Sequence, residues 1–396
     1  MSESAPPTYS DVTTSAIVPV LFPELVLLIG HYLHQQDLLR CVQVCQSWNQ
    51  ILIPQLWRTI DTDQSAWRRI FEDTVLEAKR PKAETEAWIK DVFAKYGHHI
   101  RHLSTWSCVI LEATLNNSCT QLSTLSVSHI YQQWQWDAIS PLPAAAPPPA
   151  PVLPWICPVT KERDEIMANR NTMERIWVLF QQNPGLVHID LPYDSFSCMG
   201  VLPETFILGT LSSMKYLREL ALEWVSLDAE AFLDAVPQLE VLEAFKLRDL
   251  DMMQKDHNNL RSLYIPCDVE VDKLFRILDR LPGLESFRSN RVTFWDTGSS
   301  NSTMKALSVT ESTLQFRSVK RLQVTDLCWG DDKAIAMLVR RLPELLWVGL
   351  PKFCETYEEI KKALWETCYY LDEFGGEVYE RWADEWRRRR AKDEEN

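Results

Sequence analysis

A short motif, L-x-x-L-x-L, returns along the chain at nearly regular intervals, and it limits the fold more than any other feature. Full copies read Leu122-Leu125-Val127, Leu186-Ile189-Leu191, Leu217-Leu220-Leu222, Leu260-Leu263-Ile265, Val319-Leu322-Val324 and Leu345-Val348-Leu350. Degenerate copies begin at Ile100 with Leu103, Leu239 with Leu242, and Leu284 with Phe287. The closer starts lie 22 (100 to 122), 22 (217 to 239), 21 (239 to 260), 24 (260 to 284) and 26 (319 to 345) residues apart. Residues two apart on a strand point the same way, so each copy predicts a strand with one buried edge. A period of this length predicts a solenoid of stacked units. The copies at 186, 239, 284 and 345 follow a helix-like stretch and a Pro-x-Leu step, whereas those at 217, 260 and 319 have no such proline. Met173, Ile176, Trp177 and Phe180 show helical spacing before one of these steps; Leu274, Ile277 and Leu278, then Ile335, Leu338, Val339 and Leu342, do so before two others. Long helix-bearing units are therefore expected to alternate with tighter ones.

Ahead of the repeats, Leu25, Leu28, Ile29, Tyr32 and Leu33 fall at i, i+3, i+4, i+7 and i+8, which predicts an amphipathic helix opened by Pro23 and Glu24. Asp37 is expected to cap a second helix whose apolar face holds Leu38, Cys41, Val42 and Cys45. A third carries Trp48, Ile51 and Leu52 and is expected to stop at Pro54. Three short helices in about forty residues form a marginal core, and the surplus of apolar side chains points to a partner-covered surface. Leu21-Phe22-Pro23-Glu24-Leu25, Asp37-Leu38-Leu39-Arg40-Cys41, Val44-Cys45-Gln46-Ser47-Trp48 and Leu56-Trp57-Arg58 resemble the F-box motif in order and spacing. Phe22 stands where the family has a proline. The resemblance implies docking on the Skp-type adaptor of a cullin–RING ubiquitin ligase, with Pro23, Leu25, Leu28, Ile29, Leu33, Leu38, Val44 and Trp48 as the contact.

The two halves together resemble the F-box proteins whose C-terminal half is a leucine-rich-repeat horseshoe, here irregular and without the Asn position of stricter versions. That implies an α/β fold, a non-catalytic subunit, and a repeat array that selects the protein to be ubiquitinated, while other subunits supply the chemistry. The alternative is an interaction scaffold with the same modules and no ubiquitin transfer. Residues alternating with the buried ones are expected on the concave sheet, with Asp190, Glu219, Glu223 and Glu243 on middle strands, Tyr264 beside them, and Arg288, Arg321 and Trp347 later. Such a face suits a target segment with a basic stretch beside an aromatic or acidic one.

The expected organisation is a disordered stretch over 1–16, the F-box-like domain over 17–60, a helical linker over 61–97, the repeats over 98–351 and a helical segment over 352–396. Eight prolines between Pro141 and Pro158 mark an insertion in the array. Gly298 to Thr303 reads as a loop. The tail offers i, i+4 pairs Glu377 with Arg381, Asp384 with Arg388, and Glu385 with Arg389, suited to a helix that caps the array.

A net charge of −14 excludes a chain-wide positive field for nucleic acid or anionic lipid. Ten cysteines without a C-x-x-C pair read as free thiols in a reducing compartment, and no apolar run approaches the length of a membrane span. The first sixteen residues do not form a signal peptide. The expected location is cytoplasm, nucleus or both. No phosphate loop, nucleophile elbow, zinc-ribbon or RING spacing is present; His98, His99 and His102 give i, i+4 and i, i+3 pairs that metal sites can use, but Gly97 precedes them and a strand follows, so neither metal nor cofactor is expected.

Overall fold

The computed structural model describes residues 22–64, 67, 71, 82–105, 107–117, 119–127, 176–191, 203–222, 227–244, 247–293, 315–326, 331–351, 358–375, 383–384, 386–388 and 390–391. The chain divides into two compact units, residues 1–58 and 59–396.

Among its described residues the first unit holds three helices, α1 (Pro23–Tyr32), α2 (Gln35–Cys41) and α3 (Gln46–Leu56). Pro23 opens α1 with a preset φ, and Glu24 in the first turn matches the helix dipole. Val26 and Gly30, one turn apart, are its buried residues, and α3 answers with Leu52 and Leu56. Gly30 is required by this approach: a Cβ there would lie 2.7 Å from Leu52 Cδ2 and 2.0 Å from Gln55 Oε1. Gln55 Nε2 then donates to the Leu27 carbonyl at 2.9 Å, tying α3 to α1. Two local expectations need correction. The cap of α2 is His34, without a side-chain bond, and Asp37 sits in the first turn, where its carboxylate accepts from Arg40 at 3.1 Å. Pro54 lies inside α3 rather than ending it. Being two residues from the last, it forfeits one hydrogen bond in a turn that still closes through Trp57 N to Ile53 O at 3.1 Å.

Among its described residues the second unit is built on one open parallel sheet of eleven strands. Its order is β1 (Thr59–Asp61), β2 (His102–Thr105), β3 (Thr124–Val127), β4 (His188–Leu191), β5 (Glu219–Leu222), β7 (Val241–Ala244), β9 (Ser262–Glu270), β10 (Ser286–Thr293), β11 (Arg321–Val324), β12 (Trp347–Gly349) and β13 (Glu373–Gly375). Two short strands, β6 (Leu227–Asp228) and β8 (Leu247–Arg248), pair separately. All nine motif copies are strands, and their apolar centres share one register row: Leu103, Leu125, Ile189, Leu220, Leu242, Leu263, Phe287, Leu322 and Val348. Every one of them is buried. Each contributes roughly 1.5–3 kcal/mol by leaving water, which is why the row recurs so regularly.

The strand starts repeat as well. The Arg101 carbonyl accepts from the amides of both Ser123 and Thr124, Ser123 O from Val187 and His188, and Val187 O from Arg218 and Glu219. The same two-to-one contact continues through Arg218, Glu240, Arg261, Glu285, Lys320 and Leu346 as acceptors. Connections between strands carry α4 (Lys82–Tyr96), α5 (Cys108–Asn116), a helical run over 176–182, α6 (Glu204–Ser212), α7 (Ala229–Ala235), α8 (Val271–Asp279), α9 (Asp331–Val339) and α10 (Glu358–Thr367). The expected alternation of long and tight units fails at 217, because α6 precedes β5 and packs Ile207, Thr210 and Leu211 inward without a Pro-x-Leu step. The segment expected to be a helical linker begins with Asp61 in β1, paired to Ser104, before α4 forms. Likewise the C-terminal segment is not all helix, since β13 extends the sheet after α10. There Asp384 accepts from Arg387 at 2.9 Å, while Arg388 turns to the Asp384 backbone carbonyl. The Pro-rich insertion, the 298–303 loop and the pairs Glu377 with Arg381 and Glu385 with Arg389 lie outside the described residues. No described helix is long and apolar enough to cross a membrane.

Candidate functional site

Two surfaces, one on each unit, hold the residues singled out by sequence. On the first unit, α1 turns Val26 and Gly30 inward and leaves Leu25, Leu28 and Ile29 exposed at 46%, 53% and 42%. Pro23 and Val44 are exposed as well, while Leu33 and Trp48 are half-buried. Leu38 differs: its side chain is buried, so it serves the core of the unit and is not available as surface. Sequence reasoning passed over Phe22, Leu27 and Leu39, which are exposed apolar residues on the same short segments. Leu27 stands outside the i, i+3, i+4 stripe, and only the register of α1 against α3 shows which way it faces. Leu25, Leu28, Ile29 and Tyr32 follow one another at i, i+3, i+4 and i+7 on α1, so they form one exposed apolar stripe and not scattered singles.

On the second unit, the residues flanking the buried row form two rows on the opposite face, polar except at Val241, Trp347, Ala221, Gly349 and Gly375. One runs His102, Thr124, His188, Glu219, Val241, Ser262, Ser286, Arg321, Trp347 and Glu373. The other runs Asp61, Ser104, Ser126, Asp190, Ala221, Glu243, Tyr264, Arg288, Gln323, Gly349 and Gly375. Acid is thus grouped on β4, β5 and β7 and base on β10 and β11. His102 Nδ1 contacts Thr124 Oγ1 at 2.9 Å, Ser126 Oγ donates to Asp190 Oδ2 at 3.0 Å, and His188 Nδ1 meets Glu219 Oε2 at 2.8 Å. Arg288 stacks its guanidinium 4.1 Å above the Tyr264 ring centre. Tyr264 Oη donates to Asn290 Oδ1 at 3.0 Å, and Thr325 Oγ1 donates to the same oxygen. Asn290 lies beyond the motif, where β9 and β10 run on past a register shift, so no period pointed to it. Glu223 lies outside the described residues.

Trp347 is half-buried and lies flat across its neighbours. A Cβ on Gly349 would come 2.3 Å from its Cη2, and one on Gly375 2.4 Å from its Cζ2. These two glycines make the floor on which the indole rests. Gly349→Ala is expected to destabilise the sheet by about 1–3 kcal/mol through overpacking. In a Trp347→Ala background the same change is expected to cost almost nothing, and urea unfolding of the four proteins measures this non-additivity.

Chemistry of other kinds finds little footing among the described residues. Burial pushes the Cys119 and Cys368 thiols up to about 12, so neither is a nucleophile near neutral pH. His98 and His99 lie ring to ring at 3.8 Å, and no group of three or more His, Cys, Asp or Glu among the described residues is arranged to hold a metal ion.

The class of the first unit follows from its three helices and its sequence together. Residues 23–63 match the F-box-like family, so the chain carries an F-box-like domain, with residues 59–63 of the match continuing into the second unit. Among curated proteins no sequence matches the chain. Of solved structures, a Bacteroides fragilis protein is similar at 17% identity and a TM-score of 0.28, over 49% of this chain and 66%, just under two thirds, of that one. A chain of the Rad7 and Elc1 complex in yeast is similar at 12% identity and a TM-score of 0.33, over 83% and 88% of the two chains.

Proposed function

We propose that the chain is the substrate-recognition subunit of a Skp–cullin–F-box ubiquitin ligase. In this reading the F-box-like domain docks on a Skp-type adaptor and the second unit, an irregular leucine-rich-repeat solenoid, holds the protein to be modified. The observation that carries it is the coincidence of the F-box-like match with the exposed apolar stripe on α1, because such a stripe on a small three-helix unit calls for a partner of that kind. The nine strands that keep one buried row and one pattern of strand start support a repeat architecture for the second unit. The contact on the adaptor is assigned to Pro23, Leu25, Leu28, Ile29, Leu33, Val44 and Trp48. Leu38 is left out because it is spent in the core. The subunit is non-catalytic and acts by proximity: holding target and charged conjugating enzyme together raises the effective concentration of acceptor lysines. It would work in the cytoplasm, the nucleus or both, without metal or cofactor.

The test is reconstitution. Purified full-length chain, folded by circular dichroism, is expected to co-elute with a purified Skp-type adaptor in a stable complex and to bring a cullin–RING core with it. Folded chain that elutes apart from the adaptor at micromolar concentration would overturn the reading. Co-elution without cullin-dependent turnover of captured proteins would turn it into a scaffold.

A further inference from the structure

The polar face of the sheet carries a carboxylate that no described side chain pairs. Register puts Asp190 beside Ala221 and Ala221 beside Glu243, so two carboxylates stand two strands apart, about 10 Å, with only a methyl group between them. Asp190 has Ser126 as a hydrogen-bond donor. Glu243, half-buried, has neither a hydrogen bond nor an ion pair among the described residues. Burial raises its pKa, Arg288 partly offsets that rise, and Asp190 adds to it. Arg288 does not close the gap, because its guanidinium is laid on Tyr264. Half-burial beside a second carboxylate disfavours the charge on Glu243, and an added cation would offset that.

We propose that the notch over Ala221, between Asp190 and Glu243, receives the Lys or Arg side chain of an extended target segment that crosses the strands and sets an acidic side chain toward Arg288 and Arg321. This rests on the reading of the sheet face as the target surface and names its chemistry. The aliphatic stem of the basic residue packs on the Ala221 methyl, and its head lies between the two carboxylates. Tyr264 comes next in the row and carries the Arg288 guanidinium on its ring. Arg288 and Arg321 form no ion pair among the described residues and are exposed, so they stand ready for a carboxylate or phosphate. From Ala221 on β5 to Arg288 on β10 is three strand steps, and to Arg321 on β11 four. That span of roughly 14–19 Å corresponds to about four to six residues of extended chain. The selected segment is therefore a base followed or preceded by an acid at that separation.

The probe is a displayed library of random twelve-residue peptides, selected on immobilised full-length wild type, Glu243→Gln and Asp190→Asn. Both substitutions keep shape while removing charge, and circular dichroism reports their folding. The expected result is enrichment on wild type of peptides with Lys or Arg four to six residues from Asp or Glu. A synthetic copy of one of them is expected to bind Glu243→Gln about tenfold more weakly, as does a copy whose base is replaced by norleucine on wild type. No enrichment, enrichment of peptides without a base, or equal binding by both variants overturns the proposal. A dimer of the chain that Glu243→Gln dissolves also overturns it, by assigning the face to a second copy. Adaptor co-elution, run on the same proteins, separates the two readings: charged peptides enriched by a chain that ignores the adaptor keep the notch and remove the ligase, and the reverse removes the notch alone.

Discussion

A chain carrying Leu25→Asp and Leu28→Asp is expected to fold like the wild type and to lose co-elution with a Skp-type adaptor. Both side chains are about half exposed on α1, so neither carboxylate is forced into the core and the thermal midpoint should move by no more than about 2 °C. In the complex each would have to shed water against an apolar partner, at several kcal/mol apiece without a hydrogen-bond donor. Even about 3 kcal/mol in total weakens binding more than a hundredfold, which removes from a gel-filtration trace at micromolar concentration any complex with a wild-type Kd above about 0.1 μM, and the full several kcal/mol apiece removes a nanomolar one. Val26→Asp is the contrasting control. Val26 is buried, so this change is expected to unfold the first unit as well as abolish binding. Leu38→Asp should behave like Val26→Asp, since Leu38 is a core residue. A double variant that still co-elutes would mean that α1 does not contact the adaptor.

Why these two leucines and Val26 differ was not legible from periodicity. A stripe at i, i+3, i+4 marks the apolar side of α1, yet an apolar side serves equally for a core or for a partner. What decides is the neighbour: Gly30 lets α3 approach along the Val26 line, and that leaves the Leu25 and Leu28 line outside. The sheet tells the opposite story. Every buried strand centre from Leu103 to Val348 could be placed, because one apolar residue in a fixed frame is a local property that recurs. Strands β1 and β13 were missed although Trp57 with Ile60 and Leu371 with Phe374 keep the spacing of the degenerate copies, because each frame holds only two apolar residues and only the pairing with β2 and β12 marks it as a strand. The polar face lay in between. Its residue types were readable strand by strand, but the neighbour of each was not. Glu219 and Glu243 look alike in sequence, and only the strand order gives the first a histidine and leaves the second facing Asp190 across an alanine.

The second large effect is expected at Asn183, a buried polar residue that sits at the turn before β4. Its Nδ2 donates to the Leu179 carbonyl at 2.9 Å, closing the helical run over 176–182, and its Oδ1 accepts from the Leu122 amide at 2.9 Å, 61 positions away. One side chain thus pins the end of a helix to the start of the neighbouring strand, across all of the sequence that separates β3 from β4. Asn183→Ala removes both bonds and leaves a buried N–H and a buried C=O, each worth about 1–3 kcal/mol when unsatisfied. The expected loss is about 3–5 kcal/mol in urea unfolding of the second unit. Asn259 provides the comparison, because its Nδ2 makes the same kind of bond, to the Pro237 carbonyl at 2.7 Å, on an exposed turn. There water replaces the lost partner, so Asn259→Ala is expected to cost less than about 1 kcal/mol. Amide exchange locates the damage. In Asn183→Ala the Leu122 amide should lose its protection while amides of β9 and β10, which form the longest paired stretch of the sheet, keep theirs. Such a gradient is what a sheet of nearest-neighbour contacts produces, since each strand is held by the two beside it. If Asn183→Ala is within about 1 kcal/mol of wild type, or if protection falls equally along all eleven strands, Asn183 is not the pin and the sheet unfolds as one body.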